Sequence, residues 1–438
     1  MAWDEQNDER TLKLSWKLTR RHFIRNAGIL AAGVAASSLP AGWMTKAQAQ
    51  VRPVTFGCSI SLTGPLSPGG LALKEGYDFF ADWINKNRGG LNVGGQRRPI
   101  EIKYLDDESQ AERTARLVEK LIVDDRLDLL LGPYTTGNAL AAGEIVKRHN
   151  KLMIEGGGTS DSILERYGGW IFLTLPSIKL RPSPFSEMVT SLSPRSETVA
   201  IVSSKDAYTL DTRDAFLDTF KKTGMRVVVD QTVPMDVLDF TPFISQARSR
   251  KADVVILNVH IGSLVPASRQ MFELRCEPKA TITTVAPFES ASYFQALGGI
   301  SKYQYNFGLY NADAKYTDPY FGGNRLFLFD FQESTKKRPT GLHMAGVTCL
   351  EAFALAIEKV GSTNPDEIRK ALFAMNVEGA GGPIKFDSLG RILRPAGVIQ
   401  RQGKKGETIN FVYPSRMAQA PPLYPQPSWK QRQEQGEL

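Results

Sequence analysis

The sequence predicts an α/β protein built on two open parallel sheets, and three observations predict it. From Val51 onward, short β-branched or apolar runs alternate with helical patterns, the order expected of βαβ units. That alternation restarts after Leu175-Pro176 with a second series of similar construction. The chain beyond residue 50 is roughly 390 residues long, more than one core usually holds, so two lobes are expected.

Each element has its own signal. Val54 to Ile60 reads as the first strand, ended by the turn-forming Thr63-Gly64-Pro65. Leu73, Tyr77, Phe80 and Ile84 recur at helical spacing until Gly89-Gly90 stops the helix. Ile100 to Leu105 is the second strand, and Ser109 with Glu112 predicts a capping box for a helix burying Ala115, Val118 and Ile122. Leu127 to Leu131 and Leu152 to Ile154 are continuous apolar runs, the pattern of strands covered on both faces. In the second series the strands are Thr198 to Val202, Arg226 to Val229, Val254 to Leu257 and Thr281 to Val285. The helices between them fall near 211–223, 241–249 and 263–274. Leu342 to Val360 is apolar around most of its circumference and is expected to be buried. The stretch 417–438, rich in Pro and Gln, is expected to be loose.

The first fifty residues are set apart. Thr19-Arg20-Arg21-His22-Phe23-Ile24 precedes a short, glycine-broken apolar run and then Ala47-Gln48-Ala49, a basic region, an apolar region and a small-x-small site in order. The paired arginines resemble a twin-arginine export signal over 1–49, with cleavage expected after Ala49 and a periplasmic destination. The bland alternative is an uncleaved anchor, although the run is shorter than a spanning helix requires.

Composition is that of a globular protein, with 42% hydrophobic and 23% charged residues. Residues 1–50 hold seven Lys or Arg against four Asp or Glu, which leaves the remainder only mildly basic at +5 of the total +8. Charges alternate in sign along the helices, so no stripe for nucleic acid is read. Cys58, Cys276 and Cys349 each sit in an apolar run and are read as buried thiols.

Open parallel sheets present ligands to the loops after their strands. Ser61 to Gly70, Gly132-Pro133-Tyr134-Thr135-Thr136-Gly137-Asn138 and Gly156-Gly157-Gly158-Thr159-Ser160 are three such loops in the first series. Each combines glycines with hydroxyls and with N–H groups at a helix start, a composition suited to a carboxylate or another small acceptor group.

Several pieces carry a family resemblance: Leu62-Thr63-Gly64-Pro65, Asp106-Asp107, Leu131-Gly132-Pro133 with Thr135-Thr136, the Gly157-Gly158-Thr159 loop, Val199 to Val202 leading to Tyr208, Ala252-Asp253-Val254-Val255, and Gly382 to Asp387. In their order and spacing the chain resembles the leucine/isoleucine/valine-binding family of periplasmic receptors. The resemblance implies the type I periplasmic binding protein fold, two Rossmann-like lobes with parallel central sheets joined by a three-segment hinge near Pro176, Asn311 and Arg391. The lobes would be 50–175 plus 313–388 and 176–312 plus 389–416.

Carried over by position, the family's carboxylate-holding groups fall on Thr136, Gly157 and Thr159, and its second-lobe tyrosine on Tyr208. Its aromatic after the Val254 strand falls on His260, read as a ligand contact with a plain loop histidine as the alternative. Its acidic partner of the ligand ammonium falls near Glu289, with a solvated acid as the alternative. Gly69 stands where many relatives place an aromatic, so the pocket is expected to be wider or shaped by Tyr134. The implied function is capture of an amino acid-like or organic-acid solute for the permease of an ABC importer. The alternative is a ligand-sensing or regulatory protein of the same fold for an aromatic acid, amide or urea-like solute. The expected partners are the solute, that permease and, during export, the twin-arginine translocase.

Catalytic patterns are missing from the sequence. The four histidines, His22, His149, His260 and His343, have no zinc-site spacing, and neither a Cys-x-x-Cys nor a Gly-x-Ser-x-Gly elbow occurs. No catalytic residue, cofactor or metal is therefore expected, and Asp106-Asp107-Glu108 is read as a solvated loop with Asp capping a helix.

Overall fold

In the computed structural model, which describes residues 51–285, 291–312 and 314–438, the first apolar run becomes strand β1 (Val54–Ile60). Helix α1 (Ser67–Arg88) has Pro68 in its first turn, where a missing N–H costs nothing, and ends at Gly89 with φ 67°. A small hairpin, β2 (Leu91–Val93) and β3 (Gln96–Arg98), leads into β4 (Ile100–Asp106). The series continues with α2 (Ala111–Val123), β5 (Leu129–Leu131), α3 (Thr136–Arg148), β6 (Leu152–Glu155), α4 (Asp161–Tyr167) and β7 (Ile171–Leu173). Its sheet is parallel throughout, in the order β4-β1-β5-β6-β7.

The second series runs α5 (Pro182–Ser191), β8 (Thr198–Ser204), α6 (Ala207–Thr223), β9 (Arg226–Val233), α7 (Thr241–Ser249), β10 (Val254–Asn258), α8 (Ile261–Glu273), β11 (Ala280–Thr283), α9 (Ala291–Leu297) and β12 (Tyr305–Gly308). The chain then returns to cover the first sheet with α10 (Asn324–Thr335), α11 (Gly341–Val360), α12 (Pro365–Phe373) and the hairpin β13 (Asn376–Gly379) and β14 (Gly382–Lys385). It finishes the second sheet with β15 (Gly397–Gln402) and β16 (Thr408–Tyr413), followed by α13 (Trp429–Glu434). That sheet is ordered β16-β15-β12-β11-β10-β8-β9, with parallel pairing throughout except that β15 pairs antiparallel to both β12 and β16. In both sheets the first strand of the series lies between the second and the third. Each sheet therefore has a switch point beside its first strand, where ligands of open α/β folds bind.

The chain passes between the two sheet layers three times, at 174–181, 309–323 and 386–396. The core of the first layer is closed by α11, which is long and apolar enough to cross a membrane but has 89% of its apolar window buried inside the protein. It approaches α1 closely because both helices carry glycine at the crossing. A Cβ on Gly76 would stand 2.1 Å from the His343 carbonyl oxygen, and one on Gly346 would stand 2.4 Å from that of Leu73. Cys58, Cys276 and Cys349 are buried free thiols.

Three expectations are corrected. Ser109 and Glu112 do not form a capping box: Gln110 is the N-cap of α2 and makes no side-chain cap. Ser109 instead reaches back to the first-strand loop, donating to the Thr63 carbonyl at 2.7 Å and accepting from Leu66 N at 3.1 Å. Asp107 is not solvated. It is fully buried and accepts from Ser61 Oγ at 2.6 Å, Ser109 N at 2.9 Å, Thr114 Oγ1 at 3.1 Å and Asn138 Nδ2 at 3.1 Å. Enough donors surround it to satisfy a carboxylate in place of water.

The stretch 417–438 is not loose. Leu423 N donates to Gln400 Oε1 at 2.8 Å, Trp429 Nε1 to the Cys276 carbonyl at 3.0 Å, and Glu437 is ion-paired with Lys302. Arg432 is buried to 1% exposure against the Trp429 ring, with its guanidinium 4.2 Å from the ring centroid. Composition misjudged this stretch because its polar groups satisfy backbone atoms of the second layer, while Trp429 supplies the buried apolar surface.

Candidate functional site

The carboxyl ends of the two sheets share a narrow cavity of about 40 Å³ that opens to solvent. Tyr134 and Thr135 after β5, Gly157 and Thr159 after β6 and Leu175 after β7 line it from the first layer. From the second come Tyr208, His260, Thr284 and Val285, after β8, β10 and β11, with Asn306 and Phe307 on β12. Leu342, at the start of α11, closes one side.

On the first layer the chain is strained where it meets the cavity. Thr135 has φ 79°, a left-handed conformation that a β-branched residue adopts at a cost, and it lines the cavity in the position expected for Thr136. Thr136 itself begins α3, fully buried, with its hydroxyl unpartnered. The hydroxyl of Thr159 is likewise buried without a partner. Of these two hydroxyl residues only Thr159 lines the cavity, so its side chain is the one available to a bound molecule. Gly69 is explained by the neighbouring phenol: a Cβ there would stand 2.1 Å from Cζ of Tyr134, so the Tyr134 ring occupies the space a larger residue would take.

The glycine loop differs from its expected role. Its N–H groups are not free, because Glu155 at the end of β6 turns beneath it and accepts from Gly157 N and, at 2.7 Å, from Gly158 N. Glu155 is fully buried, its Oε2 has no partner, and burial pushes its carboxyl up to about 8 against the pull of those N–H groups. The signal was present in the sequence: an acid closing the apolar run Leu152-Met153-Ile154 directly before three glycines.

On the second layer, Asp206 caps α6 by accepting from Tyr208 N at 3.1 Å and Thr209 N at 3.3 Å. Its other oxygen meets His260 Nε2 at 3.0 Å. Burial opposes the charge on Asp206, but His260 and Thr209 outweigh it and hold the carboxyl below its ordinary value. Tyr208 is fixed by a 2.7 Å bond from its hydroxyl to the Thr284 carbonyl.

Arg181, which sequence reasoning passed over, also lines the cavity at 2% exposure. Its Nε and Nη2 both donate to the Pro176 carbonyl, at 3.0 and 2.8 Å. No sequence pattern marks it, since it lies in the irregular first passage between layers. Glu289 lies outside the described residues, as does the export signal.

Contacts between the layers flank the cavity. Ser160 donates to Asp211 on α6, and Asp161 is paired with Arg391 at 2.5 Å while accepting from Ser177 Oγ at 2.5 Å.

The sequence profile of the periplasmic binding protein family matches residues 53–406. The chain belongs to that family. It is 27% identical over 221 residues to the Leu/Ile/Val-binding protein BraC3 of Rhizobium johnstonii, a match that spans 50% of this chain and 58% of that relative. Among solved structures it is similar to the branched-chain amino acid transporter substrate binding protein LivJ of Streptococcus pneumoniae, in complex with isoleucine. That match has a TM-score of 0.72 and 17% identity, covering 83% of this chain and 100% of the other. A solute binding protein of an ABC transporter from R. palustris, in complex with benzoate, matches with a TM-score of 0.70 and 19% identity, covering 81% of this chain and 94% of the other. At these identities the structural likeness establishes the type I fold.

Proposed function

We propose that this chain is a periplasmic solute-binding protein that captures a small amino acid-like or organic acid between two lobes and delivers it to the permease of an ABC importer. The observation that carries this reading is the cavity itself. It is walled by strand ends of both sheets, and the buried hydroxyl of Thr159 is left without a partner in its wall. The three passages between layers, near Pro176, Asn311 and Arg391, act as a hinge, and solute captured between the layers completes their closure. The lobes follow the sequence division, 50–175 with 313–388 and 176–312 with 389–416, and the stretch after 416 belongs to the second. Tyr134, Gly157, Thr159, Tyr208 and His260 are the ligand contacts in this reading, with Thr136 supporting the loop and Glu289 as the acidic partner of a ligand ammonium. Similarity to receptors crystallised with isoleucine and with benzoate supports both candidate solute classes.

Arg20 and Arg21 direct export through the twin-arginine translocase in this reading, with the mature chain starting after Ala49. N-terminal sequencing of periplasmic protein tests that start. A thermal-shift screen with amino acids and small organic acids tests capture. Saturating ligand, at a hundredfold excess over Kd, stabilises by about 2.7 kcal/mol, while a panel giving no shift contradicts the reading.

A further inference from the structure

Two features set the polarity of the cavity. The N–H groups of Gly157 and Gly158, the natural anion receivers of the first layer, are already engaged by Glu155. Arg181 is the one Lys or Arg among the described residues lining the cavity, and no Asp or Glu is found among them. Its polar neighbours are the Pro176 carbonyl and the Tyr208 phenol. Among the described residues no carboxylate lies within ion-pairing distance of it, and the acid closest in charge terms, Asp161, is already held by Arg391 and Ser177. A buried guanidinium satisfied only by neutral oxygens keeps most of its desolvation penalty, and an arriving anion removes it.

We infer that Arg181, and not the Gly156–Gly158 loop, receives the anionic group of the solute, a carboxylate carried on a largely apolar body. This rests on the receptor reading above. The Arg181 turn is joined to the β6 loop by a 3.3 Å bond from Ile178 N to the Thr159 carbonyl. The unpartnered Thr159 hydroxyl thus serves as donor to the second carboxylate oxygen. Tyr134, Leu175, Phe307, Leu309 and Leu342 supply the apolar walls for the remainder. Because Arg181 lies in the first passage between the layers, the anion is captured at the hinge itself.

The test compares acids with their uncharged amides. Benzoate against benzamide, 4-hydroxybenzoate against its amide and 4-methylpentanoate against its amide are titrated by calorimetry into the mature protein and into Arg181→Gln and Arg181→Lys, with circular dichroism confirming the fold. The wild type is expected to prefer its best acid over the matching amide by about a hundredfold. Arg181→Gln is expected to lose that preference, and Arg181→Lys to keep a preference while binding the acid about tenfold more weakly. Equal binding of acid and amide by the wild type overturns the proposal, as does an unaltered preference in Arg181→Gln, and the receptor reading survives both outcomes. If Arg181→Gln does not fold, the wild-type ratio and Arg181→Lys decide: Lys binding the acid as tightly as Arg overturns the proposal. If no acid or amide binds the wild type, this proposal is overturned, while the receptor reading stands or falls on the wider thermal-shift panel.

Discussion

His260 Nε2 lies 3.0 Å from Asp206 Oδ2, and this pair joins the end of β10 to the cap of α6 at the cavity wall. His260→Ala is expected to weaken solute binding by roughly threefold to tenfold, the range of one hydrogen bond. It also removes the main influence holding Asp206 below its ordinary value. A carboxyl with a lowered folded value stabilises above its ordinary range, near pH 4, and loses that contribution as pH falls through the folded value. The stability deficit of the variant should therefore be present at pH 7 and shrink below about pH 4 in urea unfolding.

Glu155 behaves in the opposite sense. Its carboxyl is raised from 4.5 to about 8, so its contribution is fully present below 4.5 and is lost as pH rises through about 8. Glu155→Gln keeps an acceptor for Gly157 N and Gly158 N but cannot ionise. The variant should show a shallower fall in thermal stability between pH 5 and pH 9 than the wild type, as measured by calorimetry. Parallel curves would mean that Glu155 does not ionise at a cost in the folded protein.

Gly69→Ala should drive the Tyr134 ring out of its seat, because the new Cβ would stand 2.1 Å from Cζ. Binding of the best solute is expected to weaken at least tenfold with stability lowered by about 1–3 kcal/mol. Adding Tyr134→Leu should restore stability; a double variant as unstable as the single would show that the strain lies elsewhere.

Trp429→Ala should cost about 3–5 kcal/mol of unfolding free energy in urea, as for other buried aromatic residues. The ring is 5% exposed, packs edge-on against Phe272 at 5.3 Å and carries Arg432 above it. A loss below about 1 kcal/mol would mean that the stretch after 416 is not part of the core.

Much of the fold was legible because apolar runs in buried parallel strands need no partner information to be recognised. Val54–Ile60 and Val254–Asn258 are buried along nearly their whole length, and their patterns gave them away. The site was legible where the loops follow those strands, at Tyr134, Gly157, Thr159, Tyr208 and His260, which all line one cavity. It was not legible where a side chain's role depends on direction. Thr135 and Thr136 are adjacent hydroxyls, and only the φ of 79° decides which one faces the cavity. Glu155 turns beneath its own loop, Asp107 turns inward while Asp106 remains at the surface, and Arg181 reaches the cavity from an irregular segment.

The interleaving of the two layers has a consequence for biosynthesis. The first layer is covered by α10, α11 and α12, which follow the last strand of the second parallel series, and the second is completed by β15, β16 and the Lys302–Glu437 pair. Neither layer can therefore finish its core as an independent early unit while the chain is emerging from the ribosome. The first waits for translation to pass Ile392, the last residue of its core, and the second until residue 437. A nascent chain stalled before the first of these points would expose unfinished apolar surface from both layers at once, a demand for chaperone protection that two sequentially complete domains would not make.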